Sequence, residues 1–148
     1  MNVGSSTAPP RTHPSPQRDL VGAGAIAFAI GAGPTAWFVQ LGFNASFAAH
    51  ACFPKDVPLA TPLWGSLQLV MLSIDVLALV VCSFGFLMAW RSWQKTGTER
   101  PGSAHHLLES GDGRSRFMAM VGMMTSALFF AATAFATLNL AVVPPCNG

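Results

Sequence analysis

The sequence predicts an all-α membrane protein of three transmembrane helices, and three observations carry that expectation. Of 148 residues, 51% are hydrophobic and only 9% charged, against about 25% charged in soluble domains, which is too few to cover a globular surface exposed to water. Three apolar stretches, 20–51, 63–90 and 117–143, each exceed the roughly 18 residues of a membrane-helix candidate. None shows the alternating polarity, over about 10 residues, of a membrane β-strand.

Taken in order, residues 1–19, MNVGSSTAPPRTHPSPQRD, are rich in Pro, Ser and Thr and lack apolar periodicity, so a disordered tail is expected. The first span is long: helix over 20–51 would extend roughly 48 Å, more than the hydrocarbon core of about 30 Å requires. Gly31-Ala32-Gly33-Pro34 gives it a place to kink, because Pro34 lacks an N–H and crowds the carbonyl one turn back. Its far end turns polar at Gln40, Asn44, Ser46 and His50, which suits an interface. Ala49-His50-Ala51 weakly resembles a cleavage site, but the apolar run before it is much longer than a signal core of roughly 7 to 15 residues, so a retained helix is expected. The second span, LWGSLQLVMLSIDVLALVVCSFGFLMAW, carries one charge, Asp75. Residues 94–116 then form a polar loop whose Gly97, Pro101, Gly102, Gly111 and Gly113 prevent a continuous helix. The third span differs in polar pattern from the first two, so no internal repeat is expected.

Charge placement orients these spans. Seven of the eight basic residues lie before the first span or between the second and third, leaving Lys55 alone in the other loop. The positive-inside rule then places the N-terminus and the 94–116 loop in the cytoplasm, and the 52–62 loop and the C-terminus outside it. Trp64 at one end of the second span and Trp90 and Trp93 at the other fit the aromatic belts of the two interfaces. No basic cluster suggests nucleic acid, so the expected surroundings are the lipid bilayer and other membrane subunits.

On the second helix Gln68, Asp75, Cys82 and Ala89 recur every seven residues, and Ala78 and Gly85 fall on the same face. On the third, Gly122, Ser126, Thr133 and Thr137 form a small and hydroxyl-bearing stripe. Small residues let helices approach in lipid, where packing and hydrogen bonds replace the hydrophobic effect, so these stripes are expected to face each other. Leu69, Leu72, Val76, Leu87 and Phe129 are left for lipid or another subunit. Asp75 admits two readings, since a charge at that depth costs about 2.5 to 3.5 kcal/mol on insertion scales. Either it is an uncharged packing residue that donates a hydrogen bond to Ser126, Thr133 or Gln40, or it handles protons, binds a cation or pairs with a basic residue of a partner.

By this topology Cys52 and Cys146 share the extracytoplasmic side, where a disulfide is favoured, with free thiols or a Cys52, His50, Cys146 copper or zinc site as alternatives. Cys82 reads as a small packing residue. His105 and His106 read as solvent-exposed, and one chain with His50 at a span edge cannot supply the two inward histidines of a membrane b-haem. The sequence contains no GxSxG, HExxH, P-loop, CxxC or GxGxxG motif, so no catalytic residue and no cofactor are expected.

At GPTAWFVQLGFNASFAAHAC (Gly33–Cys52) and RFMAMVGMMTSALFFAATAFATLNLAVVPPC (Arg116–Cys146), the chain resembles small bacterial membrane proteins encoded beside haem-copper cytochrome oxidase and oxidase-assembly genes. The shared pattern is a Gly-Pro followed by Trp in the first helix, a Cys closing it, an Arg-Phe opening the last helix and a Cys near the end. What the resemblance implies is a bacterial inner-membrane location and an accessory or assembly role near a respiratory oxidase; Asp75 is not part of the pattern. The expected function is therefore a non-catalytic accessory, structural or assembly subunit of a larger membrane complex. A small proton- or cation-conducting oligomer using Asp75 and a membrane thiol or metal-handling protein using Cys52, His50 and Cys146 are the alternatives.

Overall fold

The computed structural model describes residues 22–95, 114–143, 145 and 146. The 1–19 tail, His105, His106 and nearly all of the 94–116 loop lie outside the described residues. Within them the chain forms three long helices and no strand: α1, Ala23–Cys52; α2, Leu67–Lys95; and α3, Arg114–Val142. Each is long and apolar enough to cross a membrane, the mark of a multi-pass membrane protein. At about 1.5 Å per residue, the 29 residues of α2 or α3 span on the order of 43 Å, which leaves roughly two and a half turns beyond the hydrocarbon.

α1 remains one helix through Pro34. Where α1 ends, its last carbonyls find donors in the segment that follows. Phe53 N–H donates to Ala49 O at 3.0 Å, Leu59 N–H to Cys52 O at 2.8 Å and Leu63 N–H to Ala51 O at 3.2 Å. Those bonds hold residues 57–63 against the helix end, with a 3-10 turn at Pro54–Asp56 between. For this reason Leu63 and Trp64 belong to the connection and α2 begins at Leu67, four residues later than the apolar run alone suggests. At the other end α2 continues past Trp90 to Lys95, because Trp93 is held there: its ring lies 5.7 Å from that of Trp90, and the Arg116 guanidinium of α3 sits 5.3 Å above it.

The three helices pack mutually, α2 antiparallel to α1 and α3. The contact is made by small residues. A Cβ added to Gly85 would lie 2.9 Å from Ser126 Oγ and 3.4 Å from Ala32 Cβ; one on Gly122 would lie 3.2 Å from Ala29 Cβ and 3.4 Å from Ala89 Cβ; and one on Gly33 would lie 3.3 Å from the Ser126 backbone. All three glycines are therefore places where helix backbones nearly touch. The buried face of α2 comprises Leu67, Met71, Asp75, Ala78, Cys82, Gly85, Ala89 and Ser92, which includes five of the six residues expected there, with Gln68 half-buried at its edge. Gly122, Ser126 and Thr133 face it from α3, and Thr137 is half-buried.

Large apolar side chains point the other way: Phe38, Leu69, Leu77, Val76, Leu87, Leu128 and Phe135 are all exposed, as a lipid-facing surface requires. Phe129 departs from its expected place on this surface. It is half-buried, with its ring 5.6 Å from that of Trp37 on α1, because the close approach of α1 and α3 at Gly33 brings the two aromatics together.

If the glycine contacts set the helix spacing, Gly122→Leu should destabilise the bundle by about 1 to 3 kcal/mol through overpacking. Gly42→Leu, where a side chain meets nothing within 4 Å, should be close to neutral. Thermal unfolding of both variants in mild detergent reads the difference.

Candidate functional site

The polar residues of the bundle gather at two levels. Near its middle, Ser126 Oγ donates to Ala29 O at 3.0 Å, a bond from α3 to the backbone of α1. The Cys82 thiol, free and buried, lies 4.0 Å from Gly33 O as a weak donor. A cavity of about 380 Å³ adjoins Cys82 and Ser126 between α2 and α3, with Phe86, Leu87 and Phe130 in its wall.

The second level is built around Asp75. Its side chain is 0% exposed, as is that of Thr133, and Gln40 is 1% exposed. Asn44 Nδ2 donates to Asp75 Oδ1 at 2.6 Å, linking α1 to α2. That bond also fixes the Asn44 amide, so its Oδ1 faces away from the carboxyl oxygen it serves. Four buried oxygens have no hydrogen-bond partner: Asp75 Oδ2, Asn44 Oδ1, Gln40 Oε1 and Thr133 Oγ1, the last beside the Cys82 thiol. Beyond them, Gln68 Nε2 donates to Leu140 O at 3.3 Å. A cavity of about 280 Å³ opens beside this level between α1 and α3, walled in part by Gln40, Asn44, Met71, Ala136 and Asn139.

Gln40, Asp75 and Thr133 are all buried, and the bond that Asp75 makes is to Asn44, a partner the sequence did not offer. Asp75 is paired with Asn44, and the Ser126 hydroxyl expected to serve it is engaged one level away at Ala29 O. Asn44 is the residue that sequence alone does not single out. It lies four residues after Gln40, one helical turn, and that i, i+4 spacing is the signal that puts both amides on one face of α1.

Towards the Cys52 end, Cys52 and Cys146 stand at disulfide distance with Cα atoms 5.2 Å apart. Ala51, Cys52, Leu67 and Met71 form an apolar cluster there, covered by Phe47, Ala48, Leu140 and Cys146. His50 is exposed on this end of α1. Among the described residues no three His, Cys, Asp or Glu side chains converge, so His50 does not join the two cysteines in a ligand set.

Comparison with known protein families, with curated proteins and with solved structures finds no match. The site is therefore read from its chemistry alone.

Labelling reads the cysteine pair directly. Cys52 and Cys146 should resist alkylation until a reductant is added, and the unreduced chain should migrate faster on a denaturing gel. Alkylation of both without reductant would rule out a stable bond.

Proposed function

We propose that this chain is a non-catalytic accessory, structural or assembly subunit of a larger membrane complex in a bacterial inner membrane. The observation that carries this reading is how the bundle uses its polar groups. The inter-helix bonds of Ser126, Asn44 and Gln68 join helix to helix, and Ser73, Ser83, Ser92 and Thr137 return their hydroxyls to the carbonyl one turn back. What remains outside is mainly large apolar side chains on all three helices, a surface for lipid and for the spans of neighbouring subunits. A respiratory terminal oxidase is the favoured host, on the resemblance at Gly33–Cys52 and Arg116–Cys146.

The conducting alternative draws on the unpaired oxygens around Asp75. A thiol or metal role draws only on Cys52 and Cys146, whose pairing leaves His50 without co-ligands, and ranks below both.

Two experiments test the reading. Purification in gentle detergent, followed by mass spectrometry, should recover oxidase subunits with the chain. Recovery should persist in Asp75→Asn, which keeps a partner for Asn44, and fall in Asp75→Leu, which removes a hydrogen bond worth about 0.6 to 2 kcal/mol in lipid. A chain that elutes alone or only with copies of itself would overturn the accessory role. Orientation is tested by reporter fusions: those after Gly148 should be active outside the cytoplasm and those between Gly97 and Gly113 inside it, and the reverse pattern would invert the topology.

A further inference from the structure

The buried oxygens around Asp75 are unusual in having no hydrogen-bond partner, and all but the Thr133 hydroxyl belong to a carboxylate or an amide carbonyl. A buried oxygen without a partner is costly, and here four occur in one bundle. The packing register places three of them in adjoining layers. On α1 and α2, Gly33 lies against Cys82 and Asn44 against Asp75, so Gln40 falls at the level of Asp75 and Ala78. On α2 and α3, Gly85 lies against Ser126 and Gly122 against Ala89, so Thr133 falls at the level of Ala78. Asp75, Gln40 and Thr133 thus converge from three helices on one interior region, each almost wholly buried.

We propose that this region binds one small monovalent cation of the Na+ class, with Asp75 Oδ2, Gln40 Oε1 and Thr133 Oγ1 as its protein ligands. An all-oxygen set of carboxylate, amide carbonyl and hydroxyl is the donor set of a hard cation. A single carboxylate offsets a single positive charge, which selects a monovalent ion over Mg2+ or Ca2+. Asn44 is a positioning residue: its bond to Oδ1 at 2.6 Å leaves Oδ2 as the carboxyl oxygen without a partner. The cavity walled by Gln40, Asn44 and the exposed Asn139 reaches one ligand and the positioning residue, which gives an ion a path to this level and room for water in its coordination shell. Binding here is independent of the accessory role, and loss of one leaves the other standing.

The test uses the full chain in mild detergent, with NaCl compared with choline chloride at equal ionic strength. Na+ should raise the unfolding midpoint with the logarithm of its concentration, by on the order of 5 °C at 100-fold excess over its dissociation constant, and should broaden the 23Na resonance. Asp75→Asn should abolish both effects. Gln40→Leu and Thr133→Val should each weaken binding by about tenfold while Cys52 and Cys146 still pair, showing an intact bundle. Equal midpoints in the two salts with no 23Na broadening in the unsubstituted chain would overturn the proposal, leaving water or a carboxyl proton to satisfy these oxygens. A Na+ effect that survives both Asp75→Asn and Gln40→Leu would also overturn it, by placing the ion elsewhere.

Discussion

The near-contact of three backbones at Gly33, Gly85 and Gly122 is the constraint from which the rest of this bundle follows. In lipid an exposed leucine is as comfortable as a buried one, so apolar side chains give helices little reason to associate. Association must come from dispersion between closely fitted surfaces and from polar groups that cannot be left facing hydrocarbon. The glycines supply the first. By admitting Ser126 to within hydrogen-bonding reach of Ala29 O, they also supply the second. The same approach explains why Phe129 is drawn in against Trp37, and why residues as small as Ala29, Ala32, Ala78 and Ala89 make up so much of the interior.

Much of this architecture is legible in the sequence, because in a membrane the relevant signals are coarse and few. Length and apolarity mark the three spans, and the heptad spacing of Asp75, Cys82 and Ala89 marks the interior face of α2. The ends of the helices are less legible. α2 starts at Leu67 because residues 57–63 are held against the last carbonyls of α1, and it extends to Lys95 because Trp93 meets Arg116. The first cause is a set of backbone bonds back to the helix just completed and the second a contact between two helices, and local hydropathy records neither. Asp75 illustrates the same limit at finer scale. Its burial follows from its spacing, but choosing Asn44 over Ser126 as its partner requires the relative height of two helices, which is set by where the glycines meet.

The bundle is also uneven along its axis. Around Gly85 and Gly122 the helix contacts are made by methyl groups and by the bonded Ser126 hydroxyl, with an apolar-walled cavity alongside. One or two turns towards Cys52 the interior becomes polar, under-donated and flanked by a cavity. Such a division separates a part that holds the helices together from a part whose chemistry is open to an occupant, and Asn44 stands at the boundary, serving the carboxyl on one side and facing the cavity on the other.

The pairing of Cys52 with Cys146 has a consequence for how the chain enters a bilayer. α1 and α3 run parallel, so the residue at the end of α3 reaches the side of Cys52 only when the third crossing is complete. With a sequence separation of 94, the two sulfurs have no local route to each other. A chain stalled after two crossings keeps them on opposite faces of the membrane. Closure of that bond is therefore a chemical record of finished insertion, one that distinguishes a fully threaded chain from every partly threaded one.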